Sequence, residues 1–557
     1  MHLTDIELER REVHVSRVAP APLGPPVRPR PRVGIGEPRP STLKGRLLVL
    51  AAIGVGALSV AHQLTPPDVV PASAPPTAFS ADRAFLDVQV LAIAPRPVAS
   101  LDHAAARSYL IERLHDLGLT PSVQSTTSAL RFPGAAGFNA GSVRNVIARL
   151  PGYASTGAIA LNAHYDGGRT GPAAADCGAC VAAVLETVRA LQWGPRLRND
   201  LIVVFSDAEE AGNLGANAFA TQHPWMRDVR VALNFEAMGT GGPVSLYATS
   251  QGNRALVERF ASVAPDALVS PLLVGVVRGG AEPRAAGDLQ DYLDAGSGGL
   301  GFLFSGNSPA NHTVLDNPAT FDRRTLQQSG GYALSLVRAL GSEDLAALRA
   351  DTGDAVFFNL WRGLVVTYPT SSALPIAAVA VLLFVGVMSA GLRRQRLSVA
   401  HAALGGVVFL ETVAATAVVV GAVWWGVRAL SPDLQVVQVG HYGDRWSIAG
   451  LVTLAVGCAA MLSSSLGRQI APHARFAGAL AGFAALAVVT ASSIPETSYA
   501  FAGPLLAGSA FLAWLFSARH NEASPWWTAA AAGVVALVAT VLLLPLGLDL
   551  FMGFMRR

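Results

Sequence analysis

The sequence is poor in cysteine and in charge. Only Cys177, Cys180 and Cys458 occur in 557 residues, and Asp, Glu, Lys and Arg together make up 14%. Three cysteines exclude a disulfide framework and a structural zinc site of four thiolates. A net charge of +3 with no long Lys/Arg stripe argues against nucleic acid as a partner. What is abundant is apolar: 51% hydrophobic residues and a mean hydropathy of +0.41 lean away from a wholly soluble chain. The apolar residues are uneven. Residues 81–343 mix charges with short apolar runs, whereas 374–554 are mostly apolar with charges in clusters, which predicts a globular part and a membrane part.

Residues 1–45 carry Arg10, Arg11, Arg17, Arg28, Arg30, Arg32, Arg39 and Lys44 around APAPLGPPVRPRPR. That composition buries too little apolar surface to fold, so a disordered basic tail is expected. A twin-arginine export signal would need its apolar core much closer to Arg10-Arg11. The first apolar span lies within residues 46–64 and lacks a small-x-small cleavage site, so it is read as a retained anchor with a cytoplasmic N-terminus. A Pro-rich linker, TPPDVVPASAPPTAFS, follows over 65–80.

Further spans are expected at Leu374–Leu392, Leu404–Val427, Ile448–Leu466, Phe476–Ile494, Ala500–Phe516 and Thr528–Leu546, about six within a membrane domain 373–557. Arg393, Arg394 and Arg396, then Arg468 and Arg475, then Arg519 mark alternate loops as cytoplasmic. The loop His441–Arg445, the turn Pro495-Glu496 and the globular part fall on the other side. The C-terminus falls there too, although Arg556-Arg557 runs against the rule. Glu411, inside GVVFLETVAATAVVV, is an ionisable residue within a span and so a functional hypothesis. Without partners on other spans it reads better as a protonated or paired Glu facing the bundle interior than as a transport group.

Residues 81–345 form the expected globular domain, with 346–372 as a linker to the membrane part. VRNVIARL, AIALNAH and LIVVFSD read as strands; CVAAVLETVRAL and NRALVERFASV read as helices. The alternation predicts an α/β domain with functional loops at strand ends. Metal-type ligands cluster there: His164 and Asp166 after AIALNA, Asp176 in AAADCGAC, Glu209 and Glu210 after LIVVFSDA, Glu236 in VRVALNFEAMG, and His312 in SPANHTVLD. Singly, each is commonplace, since a strand-end His is usually a hydrogen-bonded structural residue and an Asp before a helix its N-cap. Together they suit a two-metal hydrolase, which needs imidazoles, carboxylates and one bridging acid. Two adjacent carboxylates at Glu209 and Glu210 repel unless a cation or proton separates them.

The order HxD, AD before a helix, FSDAEE, NFEAMG and HTVLD resembles the M28 family of zinc-dependent metallopeptidases over about Ala81–Leu340. TQHPWMRDVRVALNFEAMGTGG and HTVLDNPATFDRRTLQQSG, with one span before the domain and many after, resemble its membrane-embedded branch. The resemblance implies a mixed-sheet, zinc-exopeptidase-like α/β/α domain beside an α-helical multi-span membrane domain. It implies two Zn2+: His164, Asp176 and Glu236 for one, Asp176, Glu210 and His312 for the other. It also implies Glu209 as general base, Asp166 as the carboxylate orienting His164, and a looser match of Asp288 in GDLQDY to a pocket Asp. Peptide or protein would be the substrate, with aminopeptidase activity favoured, although carboxypeptidases and glutaminyl cyclases share this ligand set. The peptidase domain would lie outside the cytoplasm. The chain departs from the family where CGAC replaces an Asp or Asn followed by a Gly-Ser-Gly type run, and where Asn311 replaces a common Tyr.

C-x-x-C at a helix start has redox-type spacing. The favoured reading is two small buried residues packing the helix on the sheet; a disulfide outside the cytoplasm and a catalytic dithiol are the alternatives. Against the peptidase stand two other functions: a catalytically silent peptidase-like binding module, and a receptor domain on a transporting bundle. The retained Glu209 argues against the first.

Overall fold

Strand-forming runs in this chain alternate faces, and the computed structural model buries both of them. It describes residues 43–131, 137–279, 284, 286–350, 353–430, 457, 470–517 and 525–555. Seven strands form one mixed sheet: β1 (Ser122–Arg131), β2 (Phe138–Leu150), β3 (Ala158–His164), β4 (Asp200–Ser206), β5 (Val229–Ala237), β6 (Gly241–Thr249) and β7 (Gly298–Gly306), in the order β1-β2-β4-β3-β5-β7-β6. The centre is parallel, β4-β3-β5-β7, and antiparallel strands flank it on both sides.

On β3, Ile159, Leu161 and Ala163 enter one core while Ala158 and Ala160 enter the other. β4 repeats the pattern with Leu201, Val203 and Phe205 against Ile202 and Val204. A strand with two buried faces reads as a continuous apolar run because successive side chains point to opposite layers. Helices Ala81–Leu91, Cys180–Leu191 and Arg323–Ser342 supply the first layer, and Leu214–Gln222 and Leu289–Asp294 supply part of the second. The mixed-sheet α/β/α domain expected from the sequence is therefore present. The predicted strands and both predicted helices fall at VRNVIARL, AIALNAH, LIVVFSD, Cys180–Leu191 and Arg254–Val263.

The Pro-rich stretch 65–80 does not hang free. Phe79 is buried, Gln327 Oε1 accepts the Val70 and Ala81 amides, and Ser80 caps the next helix. Residues 346–372, read as a linker, instead contain a hairpin, β8 (Ala355–Trp361) with β9 (Leu364–Pro369). Two β-rich runs around Arg362-Gly363 carry that pattern, and Gly363 takes the positive φ that the tight turn needs.

Among the described residues, five helices are long and apolar enough to cross a membrane: Leu43–Gln63, Thr370–Arg393, Val399–Val419, Pro472–Ser493 and Trp526–Asp549, with a shorter apolar helix at Tyr499–Leu515. Apart from Gly457, the span expected at Ile448–Leu466 lies outside the described residues, as do the loop His441–Arg445, Cys458 and residues 1–42 of the tail. Small residues bring two helices close. A Cβ at Gly478 would stand 2.2 Å from the Gly406 amide nitrogen and 2.5 Å from the Ala402 carbonyl oxygen, a backbone approach of the kind small residues allow between membrane helices. Glu411 is exposed among the described residues, not turned inward.

The globular domain rests on one end of this bundle. Ser270 Oγ donates to Asp549 Oδ2 at 2.6 Å, Arg278 reaches Glu496 at 3.1 Å and Asp354 at 2.7 Å, and Phe358 stacks on Tyr499 with centroids 4.0 Å apart. Arg393, Arg394 and Arg396 lie at the far end of their helix, where Arg394 donates to the Phe516 carbonyl.

Candidate metal centre

The parallel register sets where polar side chains emerge. His164 closes β3 opposite Ser206, the last residue of β4, so the chain after β4 delivers Glu209 and Glu210 beside His164. Glu236 lies near the end of β5, on the other side of β3. The carboxyl ends of parallel strands are where open α/β sheets place ligands. Asp176 arrives from the loop before helix Cys180–Leu191 and His312 from the loop after β7. Ala208, Asn213 and His312 all adopt positive φ, a conformation uncommon for non-glycine residues and concentrated at functional sites.

All five expected ligand residues meet. His164 Nε2 lies 3.1 Å from Asp176 Oδ1 and 3.6 Å from Glu236 Oε2. His312 Nε2 lies 3.0 Å from Asp176 Oδ2 and 2.9 Å from Glu210 Oε2. Each oxygen of Asp176 thus addresses a different imidazole. Donor atoms of His164, Asp176, Cys177 and Glu236 lie within 4.8 Å of one another, as do those of Asp176, Glu210 and His312. This donor set, imidazole and carboxylate, is the chemistry that zinc takes. The carboxylates also keep acceptor capacity free: Glu210 Oε1 is buried without a hydrogen-bond donor.

Without a cation the charges distort one another. Burial, then the neighbouring Glu236, raises the Glu209 carboxyl far above its ordinary range. Burial pushes Glu236 up to about 8, and burial together with Asp176 raises Glu210. Asp176 goes the other way: burial alone would raise it, but hydrogen bonds to His164 and His312 hold it below the usual carboxylate range. Hydrogen bonds to Asp176 and Glu210 push His312 up to about 11. Clustered buried acids hold protons unless positive charge is supplied, and bound dications are the strongest such charge a site can hold.

Asp166 lies 3.4 Å from His164 Nδ1 and does more than that contact. Its two oxygens accept the amides of Glu209 and Glu210 at 3.1 and 3.2 Å, fixing the turn that carries both acids. Asp288, the loose match, is fully buried behind the site. It accepts from Ser206, from Asn162 at 3.1 Å and from Asn213 at 3.2 Å, and Asn213 also donates to Glu209 Oε1 at 3.0 Å.

Four supporting residues were not singled out from the sequence. Asp316 accepts the amides of Ala175 and Asp176 at 2.7 and 3.2 Å; its only signal was a final Asp in HTVLD. Arg96 is buried and donates to the carbonyls of Leu91, Tyr165, Pro172 and Ala173, a role with no local sequence mark. Asn213 has none either. Gly171 lets its loop lie against the His312 loop, since a Cβ there would stand 2.0 Å from the Thr313 carbonyl oxygen.

Cys177 and Cys180 are buried, as the packing reading expected, but they are joined by a disulfide. The backbone geometry is local: Asp176 and Cys177 lie outside helical φ/ψ before the helix starts, and the two cysteine Cα atoms stand 5.0 Å apart.

A mixed α/β sheet with a carboxylate shared between two His-acid groups at its parallel strand ends defines a metallohydrolase-like domain. Residues 145–337 match Peptidase family M28. Among curated relatives, endoplasmic reticulum metallopeptidase 1 of Rattus norvegicus is 28% identical over 306 residues, covering 52% of this chain and 34% of that protein. The vacuolar membrane protease of Candida glabrata is 26% identical over 298 residues, covering 50% and 31%. The matched part spans about a third of the length of these relatives. Among solved structures, an aminopeptidase from Aneurinibacillus sp. strain AM-1 aligns with a TM-score of 0.39 at 14% identity, covering 47% of this chain and 94% of that one. Porphyromonas gingivalis glutaminyl cyclase aligns with a TM-score of 0.37 at 19% identity, covering 46% and 98%.

Proposed function

We propose that the protein is a membrane-anchored metallopeptidase that holds two zinc ions and hydrolyses peptide bonds, acting as an aminopeptidase on peptide or protein substrates. The observation that carries this reading is Asp176, whose two oxygens stand 3.1 and 3.0 Å from two different imidazoles. His164, Asp176 and Glu236 would hold one ion, and Asp176, Glu210 and His312 the other, with Asp176 common to both sets. When bound, the ions supply Lewis acidity toward the substrate carbonyl and lower the pKa of water.

The chain's own groups do the rest. Glu209 takes a proton from the attacking water and returns it to the leaving amine, as a carboxylate that binds no ion is free to do. The amide-to-Asp166 hydrogen bonds keep Glu209 and Glu210 in register, and Asn213, held by Asp288, restrains Glu209 Oε1. Asp166 also faces His164 Nδ1 and would fix the ring's orientation when an ion is bound.

The peptidase domain sits on the non-cytoplasmic side, in a periplasmic, extracellular or luminal space. Supporting this, it rests at the bundle end opposite Arg393, Arg394 and Arg396, and basic residues favour the cytoplasmic side. The deciding experiment is elemental analysis of the purified full chain alongside an aminopeptidase assay with and without chelator. Two zinc per chain and chelator-sensitive release of N-terminal residues are expected. Absence of bound metal from active protein would defeat the proposal.

A further inference from the structure

Cys177 is the one residue of the deep donor cluster that no hydrolytic role uses. Its sulfur lies within 4.8 Å of the donor atoms of His164, Asp176 and Glu236, and the residue follows Asp176 directly. In the structure that sulfur is bonded to Cys180 and so has no thiolate to offer.

We propose that Cys177 is a latent fourth ligand of the deep metal site, kept off the ion by its bond to Cys180 and released onto it by reduction. The inference rests on the di-metal reading above. Three protein ligands and an open position define a catalytic zinc site, while four protein ligands, thiolate included, define a closed structural one. Thiolate is also the softer donor and a strong one for zinc. Oxidised, the deep site keeps its open position; reduced, Cys177 fills it and the site closes. The chain would then be active where disulfides persist and silent where thiols are kept reduced.

The step balances with a dithiol as reductant. Its thiolate attacks one sulfur of the Cys177–Cys180 bond, giving a mixed disulfide and one free cysteine thiol. Its second thiol then displaces the other cysteine and leaves as a cyclic disulfide, so two electrons pass to the pair. Cys177 releases its proton to solvent as its thiolate takes the ion. Both sulfurs are buried, so exchange needs local opening of the kinked loop and proceeds slowly.

Cobalt(II) is the probe, because a thiolate ligand adds a sulfur-to-metal charge-transfer band to the ligand-field bands that nitrogen and oxygen donors give. Full-length protein in detergent is loaded with cobalt, and its spectrum, cobalt content and free thiol count are recorded before and after dithiol treatment. Oxidised protein is expected to show ligand-field bands alone. After reduction the charge-transfer band appears at unchanged cobalt content, and turnover of the zinc form falls at least tenfold, recovering on reoxidation. Cys180→Ser is expected to show the band without reductant. Cys177→Ser, treated alike, shows none beyond what the reductant itself contributes. Ligand-field bands without a charge-transfer band in both reduced protein and Cys180→Ser would overturn this inference and leave the di-metal reading standing, as would loss of cobalt on reduction. Failure to bind cobalt in any form would overturn both.

Discussion

The two halves of the candidate centre differ in how they are built. The deep half comes from strand ends and the loop before a buried helix: His164, Asp176 and Glu236 are 1%, 5% and 8% exposed. The outer half depends on loops, and the His312 side chain is 51% exposed. The same ligand chemistry thus occurs once on a rigid frame and once at a solvent-facing edge. Sites on strands and helices are held more tightly than sites on loops, so the deep ion should be the slower to leave and the outer one the first to be lost.

The sharpest way to break this contrast is Asp176→Asn, which alters the one group both halves share. Both ions should weaken, and activity should fall to background, as read by elemental analysis and peptide hydrolysis. A variant that kept one tightly held ion would show that the halves are independent. Glu209→Gln comes next: zinc content should stay near that of the parent while turnover drops by about 10²–10⁴. Full activity in that variant would remove Glu209 from its role. His312→Ala should then lose the outer ion alone, leaving about one zinc per chain, whereas loss of both would deny any difference in grip.

Proton competition acts on both halves. Without metal, Glu236 sits near 8 and His312 near 11, so below pH 8 each ion must displace protons. Zinc affinity of stripped protein should rise by about tenfold per pH unit for each proton displaced. Both halves should keep gaining affinity as pH rises past neutral, because hydrogen bonds to buried carboxylates raise the His164 and His312 imidazoles above their ordinary range. Affinity that is flat from pH 6 to 8 would contradict the assignment. The smallest effect is expected far from the site: Arg278→Ala removes the contacts to Glu496 and Asp354. It should cost about 1 kcal/mol of stability, read as a small Tm shift, with peptide hydrolysis unchanged.

Much of this centre was legible because strand ends are marked locally. AIALNAH, LIVVFSD and VRVALNFEA are apolar runs that stop at polar groups, and the stopping residues turned out to share one sheet edge. His312 and Asp176 stood out through residue type and order alone. Residues 65–80 and 346–372 read only as linkers because proline content and short runs say little about what lies alongside. The first is held by Gln327, some 250 positions away, and the second pairs into a hairpin packed at the bundle end. Arg96, Asn213 and Asp316 escaped notice for the same reason, since each matters only through a carbonyl, amide or carboxylate brought near by folding.

By itself the sequence determined the α/β character, the apolar spans and the residue types able to grip a cation, because periodicity and composition act over a few neighbouring residues. Tertiary structure alone decided that Asp176 offers one oxygen to each imidazole, that Asp166 fastens the Glu209–Glu210 turn, and that the Cys177 sulfur lies beside His164 and Glu236. Those outcomes depend on angles and distances between segments far apart along the chain, which the packing of helices on a twisted sheet sets and no local pattern encodes.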